Sequence, residues 1–203
     1  MDKIKIFIVL MLPVLFRGGL AYANPVMVSS KVEPPNTGYA FYYEEEKVVR
    51  FGGGSFVLLC AVFRPAQGSD IDTARFVVSD SYYSSDGLSF SAGKGNDLDC
   101  SSVPDVLRGV EFRLPSSHDD EGAVTEVTVS DGTRSRTATT VPKTGSGGHT
   151  FAMTGDQITL NGDTVDVTDL DLQEGDSLML TVQRREGGAV GLLDLKVSAL
   201  AIR

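Results

Sequence analysis

The sequence predicts an all-β protein, a two-sheet sandwich of the jelly-roll or immunoglobulin-like kind with one disulfide. Glycine is abundant, with 22 residues among 203, and turn-forming residues recur at short intervals along the chain. The segments between these turns are rich in β-branched residues, and none has the period of an amphipathic helix. We therefore expect about ten strands in a single domain over residues 24–203.

The first 23 residues have the pattern of a secretory signal peptide. Lys3 and Lys5 precede an apolar run over residues 6–16, and a small-x-small pattern ends at Ala23. The run is too short to span a bilayer, and no later stretch is long and apolar enough to do so. We expect an exported protein, periplasmic, at the cell surface or extracellular, with no membrane insertion after signal cleavage.

The charge of the chain excludes some classes of partner. The formal net charge is −9, from 18 basic and 27 acidic residues. Residues 1–23 hold three of the basic residues and one acidic residue, so the remainder has 15 and 26 and a net charge of −11. Nucleic acids and anionic lipid surfaces attract basic proteins, so neither is expected as a partner.

Strands can be assigned along the first half of the chain from the apolar runs. Residues 55–63 form a continuous apolar run with flanking turn residues, which predicts a central strand. Shorter candidates follow at residues 74–78, 88–92 and 110–114.

The middle of the chain predicts a hairpin. Residues 123–129 alternate apolar and polar side chains, which is typical of a strand with one buried face. Asp131-Gly132 is a tight-turn signal that leads into residues 133–141. The second strand is polar and carries two arginines, so we expect a charged edge strand there.

The last part of the chain predicts two long strands and an irregularity. Leu195 and Val197 share one face of a strand, whereas the next apolar positions, Leu200 and Ile202, have the opposite parity. This change near Ala199 predicts a β-bulge or a strand buried on both faces. The other candidate strands lie at residues 151–153, 157–160, 164–167 and 178–182.

The chain has two cysteines, Cys60 and Cys100. In an oxidising compartment the expectation is one disulfide. It would close a loop of 41 residues, which the chain-entropy model associates with about 4 kcal/mol of stabilisation. A zinc site would need more ligands than two distant cysteines and two separate histidines supply.

One cluster could support catalysis. His118 begins an acidic run that continues through Asp119, Asp120 and Glu121. Paired carboxylates in a cleft would suit a secreted hydrolase of carbohydrate or peptide, the alternative function. A solvated loop tip explains the same run without chemistry. His149, the other histidine, has no acidic or nucleophilic neighbour in sequence.

Pairs of acidic residues separated by one residue are candidate calcium ligands. In an extended segment the two carboxylates of such a pair lie on one face and can converge on a hard cation. Asp97 and Asp99 lie next to Cys100, where the disulfide would order the loop. We expect no resident cofactor, with calcium at Asp97 and Asp99 as the possible metal site.

Aromatic residues provide the candidate ligand-binding surface. Tyr39, Phe41 and Tyr43 alternate, so they share one face of a strand. Tyr82 and Tyr83, in a turn rich in serine and aspartate, would add to a binding edge. A row of rings stacks well on sugars, although rows of this kind occur more often in cores, and the absence of Trp weakens the sugar interpretation further.

One stretch of the chain resembles the subunits of chaperone–usher pili. Cys60 in an apolar strand after Gly52-Gly53-Gly54, followed by Cys100, is similar to the layout of those secreted sandwiches over residues 47–100. The resemblance implies an assembling subunit that lacks one strand and is unstable or polymerises alone. The chain departs from the pattern at its end, since residues 199–203 have no penultimate Tyr.

These observations favour a non-enzymatic exported interaction protein, either a surface or structural component or a binding module for glycan. Its expected partner is a protein or a glycan surface. The alternatives are a pilus-like assembling subunit or adhesin, and the hydrolase described above.

Overall fold

The computed structural model describes residues 24–66, 70–84, 88–114, 124–142, 148–155, 157–167, 169–170, 172, 175–184 and 190–202. The candidate signal peptide over residues 1–23 lies outside these ranges, so its cleavage stays a prediction. The described residues form fourteen strands: β1 (Pro25–Glu33), β2 (Gly38–Tyr43), β3 (Val48–Gly53), β4 (Leu58–Pro65), β5 (Thr73–Ser84), β6 (Leu88–Gly95), β7 (Arg108–Leu114), β8 (Val124–Asp131), β9 (Ser135–Pro142), β10 (His149–Thr154), β11 (Gln157–Leu160), β12 (Asp163–Val165), β13 (Ser177–Arg184) and β14 (Val190–Ile202).

The strands form two antiparallel sheets of seven strands each. The order is β1-β4-β13-β6-β7-β8-β9 in the first sheet and β12-β11-β10-β5-β14-β3-β2 in the second. The predicted two-sheet sandwich is confirmed. The expected number of about ten strands is too low, because β1, β2 and β3 precede the first long apolar run and have weaker patterns. None of the described residues forms a helix that could cross a membrane.

Phenylalanine rings from both sheets meet at the centre of the sandwich. Phe76 and Phe151 come from the second sheet, and Phe90 and Phe112 from the first. The Phe76 ring lies 6.0 Å from Phe90 and 5.0 Å from Phe151, and Phe112 lies 5.9 Å from Phe151. Each such pair contributes about 0.5–1.5 kcal/mol beyond the burial of its area. The cluster therefore fixes how the two sheets face each other.

The irregularity predicted near Ala199 is present. Val197 points into the core and Leu200 is again fully buried, so two residues lie between them where strict alternation would place one. Ala199 takes a positive φ of 53°, and the register of β14 against β5 shifts between Ser198 and Ala201. The bulge is what allows both halves of β14 to bury their apolar side chains.

The predicted hairpin joins β8 and β9. The Asp131 carboxylate accepts hydrogen bonds from the backbone N–H groups of Arg134, at 2.6 Å, and Thr133, at 2.8 Å. Its other oxygen lies 3.0 Å from the Arg134 guanidinium. These interactions lower the pKa of Asp131 to about 2, and the backbone hydrogen bond from Arg134 makes the largest contribution.

The second strand of that hairpin, β9, is the predicted charged edge strand of the first sheet. Arg136 reaches from it to the segment after β12, at the edge of the second sheet. Its Nη2 lies 3.1 Å from Asp169 Oδ1 and donates to the Asp166 carbonyl. The Arg136 side chain thus connects the two sheets. Its charge also disfavours pairing of other strands with this edge.

The predicted disulfide joins Cys60 to Cys100, with their Cα atoms 5.8 Å apart. Cys60 lies in β4, which pairs on both sides, with β1 and β13, as the central-strand prediction required. Cys100 lies in the segment between β6 and β7, residues 96–107, which we call the β6–β7 loop. This loop packs apolar side chains onto the outer face of the first sheet, where Leu58, Cys60, Val62, Cys100 and Met179 form a second buried cluster with Leu98, Val103 and Leu107 against it.

Removing the disulfide should lower the stability of the fold. We expect Cys60→Ala with Cys100→Ala to lower the free energy of unfolding by about 4 kcal/mol, because the unfolded chain regains the entropy of the open loop. Urea unfolding followed by intrinsic Tyr fluorescence measures the change. The single variant Cys100→Ala should lose as much, and a loss below about 1 kcal/mol in both would contradict the prediction.

Neutralising Asp131 should make the stability of the protein less dependent on pH. The pKa of Asp131 is lowered in the folded protein, so its ionised form stabilises the fold above about pH 4 and this contribution is lost as the pH falls towards about 2. We expect Asp131→Asn to melt below the wild type at pH 7 and to match it near pH 2. Asp163→Asn, at an exposed position of β12, is the control. A difference that stays constant across this range would contradict the prediction.

Candidate functional site

The aromatic row lies on the surface of the second sheet. β2 is the edge strand of that sheet, and Phe41 and Tyr43 are 56% and 46% exposed. The residues between them face the other way: Ala40 is buried, and the Tyr42 ring packs edge-on against Phe63 at 5.1 Å. Tyr39, Phe41 and Tyr43 thus share the outer face, and the core interpretation of the row is wrong.

The first ring of the row is held in place by a glycine. Tyr39 lies opposite Gly52 in β3, and a Cβ at Gly52 would lie 2.2 Å from Tyr39 Cζ. The ring therefore covers the bare backbone of β3. It also stacks on Phe41, with ring centres 5.3 Å apart and planes 22° from parallel. Two of the three rings are ordered by contacts within the protein.

Polar groups lie beside the rings. Arg50 is opposite Phe41, and Asp194 of β14 is opposite Gly52. Arg50 Nη1 lies 3.8 Å from Asp194 Oδ2, and Asp194 Oδ1 is buried with no hydrogen-bond partner among the described residues. We call Tyr39, Phe41, Tyr43, Arg50 and Asp194 the aromatic face. It combines flat apolar surfaces with a donor and an acceptor.

The other two tyrosines of the predicted binding edge are in a strand rather than a turn. Tyr82 and Tyr83 belong to β5 and pair with Leu193 and Leu192 of β14. Their side chains lie outside the part of the chain that the structure describes, so their role in binding stays a prediction.

Asp97, one of the two candidate calcium ligands, faces a protein cation. Its Oδ1 lies 3.6 Å from Arg64 Nη2, which is 3.9 Å from Asp176 Oδ2. The backbone N–H of Asp97 also donates to Asp176 Oδ1 at 3.0 Å. The Arg64 guanidinium therefore supplies positive charge between these two carboxylates.

Asp99, the other candidate ligand, forms a tight turn. Its carboxylate accepts a hydrogen bond from the Ser101 N–H at 2.7 Å. Hydrogen bonds from the Ser101 side chain and backbone, in that order, lower the pKa of Asp99. Among the described residues, no three His, Cys, Asp or Glu side chains are grouped as a metal site. Calcium at Asp97 and Asp99 stays a prediction.

The candidate catalytic cluster of His118, Asp119, Asp120 and Glu121 lies outside the described residues. The other histidine, His149, is buried in β10. Its Nδ1 lies 3.0 Å from Asn161 Nδ2, in the turn between β11 and β12. This contact ties a strand to a neighbouring turn.

The structure also contains a groove that the sequence analysis missed. It encloses about 280 Å³ on the outer face of the first sheet, and the β6–β7 loop forms one wall. Strands β6, β7, β8, β9 and β13 supply its floor. Alternation along each strand indicates from the sequence which polar residues face solvent. Only the pairing of the strands brings these residues together in one groove. This polar groove is lined by Ser91, Pro104, Asp105, Val106, Leu107, Gly109, Val110, Glu111, Arg113, Thr128, Ser130, Ser135, Thr181 and Gln183.

Calcium binding at the predicted site should raise the melting temperature, because a ligand that binds only the folded state stabilises it by mass action. We expect a higher melting temperature in millimolar calcium than in chelator, and no difference for Asp97→Asn with Asp99→Asn. Asp70→Asn with Asp72→Asn, a second pair with the same spacing, is the control. Equal melting temperatures of the wild type in both buffers would contradict calcium binding.

The sequence matches no protein-family model and no curated protein. Three solved structures overlap most of the chain. The carbohydrate recognition domain of Emp47p is 12% identical with a TM-score of 0.41, over 85% of this chain and 94% of that one. The carbohydrate-binding module CBM66 from Bacillus subtilis is 13% identical with a TM-score of 0.45, over 88% and 94%. The exoplasmic/lumenal domain of VIP36, bound to Ca²⁺ and Man3GlcNAc, is 9% identical with a TM-score of 0.38, over 78% and 80%.

Proposed function

We propose that this protein is an exported, non-enzymatic carbohydrate-binding module and that it contacts its glycan through the aromatic face. The observation that carries the proposal is the position of the ring row. Phe41 and Tyr43 are 56% and 46% exposed on the outer side of β2, where they contribute little to the core. Export is supported by the pattern of residues 1–23.

The chemistry of the aromatic face suits a sugar. The C–H groups on one side of a pyranose ring form a flat apolar surface, which packs on aromatic rings. The hydroxyl groups around its rim need donors and acceptors, which Arg50 and Asp194 supply beside the rings. The contacts of Tyr39 with Gly52 and Phe41 fix that ring before a ligand arrives, so less side-chain entropy is lost on binding.

The overall charge limits the class of glycan. The chain without residues 1–23 has a net charge of −11, which repels acidic polysaccharides at low ionic strength. Arg50 adds one positive charge at the aromatic face, but Asp194 lies beside it. A neutral polysaccharide is therefore the proposed ligand.

Binding should depend on the exposed rings. We expect the mature protein to bind at least one neutral polysaccharide on a glycan array and in affinity electrophoresis. Phe41→Ala and Tyr43→Ala should each weaken binding about tenfold or more, a change of about 1.4 kcal/mol. Gly52→Ala should also weaken it, because the new methyl group displaces the Tyr39 ring.

Val57→Ala is the matched control, since Val57 is 55% exposed and lies outside the aromatic face. Binding that is equal in Phe41→Ala, Tyr43→Ala and Val57→Ala would overturn the site. Polymerisation of the purified protein, with no glycan bound, would favour the pilus-like assembling subunit instead. Release of reducing ends from the polysaccharide would favour the hydrolase.

A further inference from the structure

We propose that the polar groove is a second carbohydrate site, which takes a single neutral sugar ring in solution or at the end of a glycan. This second site rests on the proposed function, because it assumes the same class of ligand, a neutral carbohydrate. The two sites use different residues on opposite sheets of the sandwich, so each can fail without the other.

The floor of the polar groove is a row of hydrogen-bonding side chains. Thr181 of β13 pairs with Ser91 of β6, which pairs with Glu111 of β7, and Glu111 pairs with Thr128 of β8. Neighbouring Cβ atoms in such a row lie about 4.5–5.5 Å apart. Thr181 and Thr128 are 1% and 7% exposed, so Ser91 and Glu111, in the middle of the row, are the groups that can meet neighbouring hydroxyls of one sugar ring. Gln183, two residues after Thr181, adds an amide to the same lining.

Charge in the polar groove selects against anions. Arg113 Nε lies 3.5 Å from Glu111 Oε1, and Arg113 Nη1 lies 3.6 Å from Glu126 Oε1. Two carboxylates around one guanidinium leave a net negative charge, which disfavours phosphates, sulfates and uronic acids. Arg113 and Glu111, which line the groove, are 38% and 32% exposed, so each keeps part of its hydrogen-bonding surface open to a ligand.

The wall of the polar groove sets its size and apolar character. Pro104, Val106 and Leu107 of the β6–β7 loop line it, and Leu107 also packs against the second buried cluster. Val106 is 46% exposed and offers an apolar side to the ligand. The volume of about 280 Å³ is slightly below the range of typical ligand pockets, about 300–1,000 Å³. That size suits a single sugar ring rather than a long chain.

The other ligand classes fit the polar groove less well. A lipid needs a predominantly apolar lining, whereas the floor is made of serine, threonine, glutamate and arginine side chains. A nucleotide needs positive charge for its phosphates. The positive charge of Arg113 is neutralised here by Glu111 and Glu126. A neutral polyhydroxylated ring matches this lining, because its hydroxyl groups both donate to and accept from serine, threonine, glutamate and glutamine side chains.

The test uses the oxidised mature protein, labelled with ¹⁵N, and a panel of free neutral sugars: glucose, galactose, mannose, fructose and N-acetylglucosamine. We expect at least one sugar to shift the amide signals of β6, β7, β8 and β13 with a dissociation constant in the millimolar range or below. Glu111→Gln and Gln183→Leu should each weaken that binding about tenfold or more. Glucuronate and glucose 6-phosphate should bind at least about tenfold more weakly than the neutral sugar.

Glu33→Gln is the matched control, since Glu33 also pairs with a cation, Lys31, but lies in β1. A melting temperature near that of the wild type shows that each variant folds. The proposal would be overturned if no neutral sugar shifts any amide signal at 100-fold the protein concentration and up to about 50 mM. Shifts confined to other strands would also overturn it. Unchanged sugar binding in Glu111→Gln would do the same. So would tighter binding of either anionic sugar.

Phe41→Ala distinguishes this proposal from the proposed function. If both sites exist, Phe41→Ala weakens polysaccharide binding and leaves the free sugar bound as in the wild type. Loss of the free sugar in Phe41→Ala would overturn the second site. Polysaccharide binding that depends on Glu111 and not on Phe41 would overturn the role of the aromatic face and support the polar groove.

Discussion

Burial of one face of each sheet against the other is the constraint on which the rest of this structure depends. Phe76 and Phe151 meet Phe90 and Phe112 across the interface between the sheets, and closely packed rings leave little freedom for the sheets to slide. Because side chains alternate along a strand, fixing the inner face also fixes which residues appear outside. The aromatic face and the polar groove both follow from that alternation.

The two outer faces are completed in different ways. On the first sheet the β6–β7 loop covers part of the surface, and the disulfide of Cys60 with Cys100 holds it there. The uncovered part becomes the polar groove, with the edge of the loop as its wall. On the second sheet none of the described loops covers β2, and the Tyr39 ring instead covers the backbone at Gly52.

Charged residues join separate parts of the chain. Arg136 connects the edges of the two sheets through Asp166 and Asp169. Lys94, only 2% exposed, lies in β6 and donates from Nζ to the carbonyls of Ile71, at 3.4 Å, and Gly155, at 3.1 Å. A buried ammonium group is tolerated only where such acceptors satisfy its hydrogens. These contacts tie segments outside the strands to the two sheets.

The sequence by itself determined the class of fold, because alternation, turn residues and apolar runs are local properties. It located the β8–β9 hairpin at Asp131, the bulge at Ala199 and the disulfide, each through a signal within a few residues or through the count of cysteines. It also singled out the ring row of β2, but burial is a property of the assembled sheets, so the choice between core and surface needed the structure. The polar groove could not be predicted, since its floor joins Ser91, Glu111 and Thr128, from three consecutive strands, to Thr181 of β13, which is distant from them in sequence. The pairing of β13 with β6 places these residues in one row. Local sequence patterns do not reveal which distant strands pair.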